Sequence, residues 1–142
     1  MKIIKIFVLA IFLSISVTFY ACNDSIVTEC KDSTPTDNRM KATFSEIQSK
    51  LFTPTCATSG CHDANNTVPN LTAGSSYDAI VNKEAEGLGL KYIEPGNSEN
   101  SYLIKRLKGD GTYGSTMPPT GKLPISVIDS VAKWIDNGAL NN

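Results

Sequence analysis

Cys56-Ala57-Thr58-Ser59-Gly60-Cys61-His62 is the stretch on which the reading of this 142-residue chain turns. It gathers two thiols and the only imidazole of the chain into one short piece of backbone. The imidazole follows the second thiol directly. Thr58-Ser59-Gly60 is small and flexible, so the residues between the cysteines can bulge outward while the two thiols stay near one another.

Several chemistries use such a set. Covalent attachment of a haem needs two thiols for the vinyl groups and an imidazole for the iron; the usual spacing leaves two residues between the cysteines, and here there are four. The stricter demand falls on Cys61-His62, where adjacency holds one thioether and the iron ligand together. A Cys56–Cys61 disulfide is ordinary chemistry for an exported chain. Zinc needs four ligands, which Cys30, Cys56, Cys61 and His62 formally supply, although Cys61 and His62 are adjacent and Cys30 stands far upstream. A nucleophile and base seldom face each other from adjacent positions, and no orienting group is evident.

If His62 ligates iron, no second histidine of the chain can complete the coordination, and the remaining common donor is methionine. Beyond the first residue only Met40 and Met117 occur. Met40 precedes the first helix and reads as a surface or core-edge residue. Met117 ends a glycine-rich stretch and is followed by Pro118-Pro119, which fix the backbone after it and remove amide donors. Its thioether is the candidate second ligand.

The chain opens with Met1-Lys2-Ile3-Ile4-Lys5 and continues with an uncharged apolar run from Ile6 to Ala21. That run is short for a membrane span and has the layout of an export signal, residues 1–21. Ala21-Cys22 resembles a lipoprotein processing site, which makes Cys22 the candidate lipid-bearing residue. Residues 22–38 are rich in Ser, Thr and Asp, bury little apolar surface and read as a flexible tether. Without the signal the chain holds 11 basic against 14 acidic side chains, a formal charge of about −3. No basic block supports nucleic-acid binding.

Residues 39–142 are predicted to be an all-α domain. Thr43-Phe44-Ser45-Glu46 has the form of a capping box, Phe44, Ile47 and Leu51 share one face, and Pro54 is predicted to stop the first helix. A short helix is expected over residues 76–83. Another is expected after Ser98 as its cap, ending at Gly109, and a last one from Pro124 or Ile125 to Asn137, with Gly138 at its exit. Trp134 reads as core by its helical spacing. Residues 109–121 form a long irregular connection, and connections of that length usually carry function or are disordered.

The order Cys56-x4-Cys61-His62, Pro95-Gly96-Asn97-Ser98, Met117-Pro118-Pro119 and Trp134-Ile135-Asp136-Asn137-Gly138 resembles mono-haem c-type cytochromes of the class I kind. It is similar to exported bacterial members related to planctomycete-type cytochrome domains, in which the stretched Cys-x4-Cys-His spacing is familiar. The resemblance implies a small helical domain, one covalent haem c on Cys56 and Cys61, and iron held by His62 and Met117. It implies an electron carrier rather than an enzyme, with redox proteins as partners; the lipoprotein-like site at Cys22 adds the expectation of a membrane anchor facing the periplasm or cell surface. In such proteins the proximal imidazole often donates to a proline carbonyl, and Pro69 is the candidate here. Two other readings stay open: a haem-based gas or redox sensor with a displaceable Met117, and a disulfide-bonded surface lipoprotein without haem that binds a partner.

Overall fold

In the computed structural model, which describes residues 39–65, 67–109 and 111–142, the chain enters its first helix through the predicted cap. Thr43 is extended, and its Oγ1 accepts the Glu46 amide at 3.4 Å, satisfying one of the unpaired donors of helix α1 (Phe44–Ile47). The return half of the box is redirected. Glu46 accepts from the Lys41 amide at 3.4 Å and pairs with Lys50 Nζ at 2.6 Å, and the Lys50 bond holds its carboxyl below the usual range.

Helix α1 widens into a π-helix over Gln48–Cys56. Pro54, predicted to end the helix, lies inside it. In an α-helix a proline ring meets the carbonyl four residues back. The wider winding, seen where the Ala57 amide donates to Phe52 O at 2.7 Å, changes that register and lets the helix run on to Cys56. The same segment buries Leu51 and Phe52, so packing anchors it.

Helix α2 (Ser76–Ile80) ends earlier than expected because Val81 turns extended and bridges to Ile93. Beyond it, strands β1 (Glu84–Ala85) and β2 (Leu90–Lys91) pair antiparallel, with Glu84 opposite Lys91 and Ala85 opposite Leu90. Gly87 and Gly89 take positive φ in the turn between them, a conformation open to glycine at no steric cost. This ladder overturns the all-α, class I cytochrome c-like architecture expected from the sequence. The described residues form a mixed fold of short helices, a π-helical segment and a two-stranded antiparallel sheet. Strands of two residues are too short to display the period-two alternation that betrays a strand in sequence.

Helix α3 (Tyr102–Lys108) starts after Ser101 rather than Ser98. Ser98 is bonded across the fold instead: its amide donates to Asp136 Oδ1 at 2.8 Å and its hydroxyl to Asp136 Oδ2 at 3.0 Å. Gly109 closes α3 in the left-handed conformation, as predicted, its amide donating to Lys105 O at 3.0 Å. Helix α4 (Ile125–Asp136) follows Pro124 and exits through Gly138.

The described residues fall in one compact unit. Its core joins Ile47, Leu51 and Phe52 of the first helical segment to Ile104 and Leu107 of α3 and to Ile128, Val131, Trp134 and Ile135 of α4. Trp134 is core, as its spacing predicts: its ring lies 5.6 Å from that of Phe44 and its indole N–H donates to Leu140 O at 2.8 Å. Met40 is buried in the same core. The expected export signal (residues 1–21), the candidate lipid-bearing Cys22, the expected tether (residues 22–38) and Cys30 lie outside the described residues.

Candidate functional site

The π-helix delivers Cys56 to the rim of a cavity of about 330 Å³, within the roughly 300–1,000 Å³ range of small-molecule and cofactor pockets. Cys61, His62 and Met117 line the same cavity. The four residues singled out in the folded part of the sequence are therefore brought together, although Met117 is 55 positions from His62. Leu71, Ile80, Leu103 and Leu107 supply apolar wall, and Tyr92, Tyr102 and Arg106 the polar part. Among the described residues no carboxylate lines it.

The turn from Cys56 to His62 is closed by backbone. The Cys61 amide donates to Thr58 O at 2.9 Å and the His62 amide to Cys56 O at 3.0 Å, so the inserted residues bulge outward and Thr58, Ser59 and Gly60 are exposed. Cys56 and Cys61 are free thiols, each half-buried. Burial, with a smaller contribution from Cys61, pushes the Cys56 thiol up to about 11, so it is protonated at neutral pH.

His62 Nδ1 stands 3.1 Å from the carbonyl oxygen of Pro69, the candidate partner that the resemblance implied. The chain between them folds back, with the Thr67 amide on Cys61 O at 3.1 Å and the Leu71 amide on His62 O at 2.9 Å. When Nδ1 carries the proton and donates to this carbonyl, Nε2 keeps its lone pair for a metal.

Met117 is presented by the connection between α3 and α4. Its amide donates to Arg106 O at 2.9 Å, and the peptide bonds Met117–Pro118 and Val68–Pro69 are both cis. Tyr92 and Tyr102 of the lining meet edge to face at 5.9 Å, and Tyr113 packs on Tyr102 in the same manner at 6.3 Å. Burial, then Glu86 and Tyr102, raises the Tyr92 hydroxyl above its usual range. Arg106 and Tyr92 were not singled out by residue type as site residues, since an arginine or tyrosine is usually a surface or packing residue; only the fold places them at the cavity.

The donor chemistry fits a covalently held haem. Two thiols, an imidazole with its second nitrogen anchored, and a thioether meet in a largely apolar cavity, the set that such a group requires. Among the described residues no three His, Cys, Asp or Glu side chains assemble into a group that could hold a metal ion, and Cys30, the fourth formal zinc ligand, lies outside them. No protein-family model, no curated protein and no solved structure matches the chain.

Proposed function

We propose that this protein is a mono-haem c-type electron carrier, exported and held at a membrane through a lipid on Cys22. One observation carries the reading: Cys56, Cys61, His62 and Met117 line a single cavity. Cys56 and Cys61 would hold the group as thioethers, and His62 and Met117 would be the iron's protein ligands. The group would supply one-electron chemistry, and the pairing of a thioether with an imidazole would favour its reduced form.

The chain's own contribution is to bind, orient and exclude water. Pro69 fixes the His62 ring through its carbonyl. Leu71, Ile80, Leu103 and Leu107 make the surroundings apolar, which further favours the less charged state of the site. No bond-making step on a substrate is required of any residue, and the partners are other redox proteins that approach the exposed rim of the cavity.

Expression with its own export signal in a host that attaches haem tests the reading. A red protein whose haem stays with the chain after denaturation is expected, and a colourless product overturns it. Met117→Ala is expected to abolish the absorption characteristic of methionine-ligated iron; an unchanged spectrum removes Met117 from the iron.

A further inference from the structure

Residues 109–121 hold four glycines, and a segment of that composition has much conformational freedom to lose before it can present one side chain reproducibly. Its Met117 end is nevertheless tied to one residue of α3. Arg106 Nε donates to Ser115 O at 2.9 Å, and Arg106 O accepts the Met117 amide at 2.9 Å. The two residues flanking Thr116 are thus both held by Arg106, one through its side chain and one through its backbone.

The guanidinium is itself oriented. Its Nη1 donates to the Tyr102 hydroxyl at 2.6 Å, and the group lies 5.5 Å from the Tyr102 ring centre, one helical turn back. That hydroxyl in turn donates to Tyr113 O at 3.4 Å, adding a third tie to the same connection. The base on which this stands is firm, because Ile104 and Leu107 of α3 are buried in the core.

We propose that Arg106 is a positioning residue for Met117: it latches residues 115–117 onto α3 and so sets how firmly the thioether is offered to the cavity. This rests on Met117 being an iron ligand. Arginine suits the role better than lysine, because its planar fork serves the Ser115 carbonyl and the Tyr102 hydroxyl from fixed directions, whereas an ammonium on a flexible stem does not. The latch acts on the equilibrium between thioether bound and thioether released, not on the stability of the core.

Competition with an external ligand reads that equilibrium. Full-length red protein, wild type and Arg106→Gln, is titrated with imidazole while the methionine-ligand absorption is followed, and exchange of the Met117 amide is measured in parallel. Arg106→Gln is expected to bind imidazole about tenfold more tightly, the equilibrium worth of one charge-assisted hydrogen bond, and to exchange the Met117 amide faster. Arg106→Lys is expected to fall between the two. Unchanged imidazole affinity and unchanged exchange in Arg106→Gln overturn the latch. Should that variant fail to accumulate, Tyr102→Phe removes a single hydroxyl and decides the matter: a smaller shift in the same direction supports the latch, and none overturns it. A wild-type spectrum without methionine-ligand absorption overturns the ligand assignment itself, and the latch with it.

Discussion

The imidazole of His62 is oriented by the carbonyl of Pro69, 3.1 Å from its Nδ1. Proline has no amide hydrogen, so that carbonyl is the only backbone polar group it can offer. The intervening residues are folded back by two backbone bonds, Thr67 to Cys61 and Leu71 to His62, which bring the acceptor to the ring. A ring fixed at Nδ1 is a ring whose Nε2 direction is decided before any metal arrives, and this preorganisation is the main physical reason to read His62 as a ligand rather than as a core side chain.

The contact predicts a tautomer. In haem-free protein, long-range proton–nitrogen spectra of the neutral imidazole should show the Nδ1–H tautomer of His62. Protonation at Nε2 would mean that the Pro69 carbonyl does not orient the ring.

Cys56 predicts a pH dependence confined to the haem-free protein. Its thiol rises from an ordinary 9.0 to about 11, chiefly through burial. Below pH 9 folded and unfolded chains both hold the proton, and this group leaves stability unchanged. Between pH 9 and about 11 the unfolded chain releases the proton while the folded chain keeps it, so stability falls as pH rises. The loss is at most about 2.7 kcal/mol, and partial exposure trims it. Urea unfolding across this window should show a steeper decline for wild type than for Cys56→Ala. The difference should vanish once Cys56 is a thioether.

The site was legible in the sequence to the extent that its chemistry is written in residue type. A lone histidine after cysteine and two prolines after methionine carry their signal locally, whereas Pro69 was indicated by the family resemblance alone. Gly109 and Gly138 were legible as helix exits for the same reason. What was not legible depends on partners far along the chain. Ser98 looks like a helix cap until Asp136 takes both its donors, after which Ser101 opens α3. Pro54 looks like a stop because the rule assumes α winding, and burial of Leu51 and Phe52 goes with π winding instead. The two-residue strands have no periodicity to read, and Arg106 acquires its place only when residues 115–117 fold back on it.

Asp136 ties the end of α4 to the segment before α3. Its carboxylate accepts from the amide and the hydroxyl of Ser98, which is only 7% exposed. Asp136→Ala leaves both donors unpaired, at a cost of about 1–3 kcal/mol for such groups. Ser98→Ala removes one bond and leaves the exposed carboxylate to water, costing about 1 kcal/mol. Denaturant midpoints should rank wild type above Ser98→Ala above Asp136→Ala, and the reverse order of the two variants would deny Asp136 this role.

Gly109 connects helix termination to the presentation of Met117. Its φ of +67° suits glycine, and a Cβ there would collide with the Thr116 side chain, so the neighbour of Met117 must move. The backbone alone costs a non-glycine residue about 1–2 kcal/mol, and the displacement of Thr116 adds to it. Gly109→Ala is therefore expected to lower stability by about 1–2 kcal/mol or more and, in the red protein, to weaken the methionine-ligand absorption. Gly111 has φ +82° but open space around a Cβ, so Gly111→Ala carries the backbone cost without the clash. A spectral change in Gly109→Ala and none in Gly111→Ala is the expected pair. Equal spectra would show that pressure on Thr116 does not reach Met117.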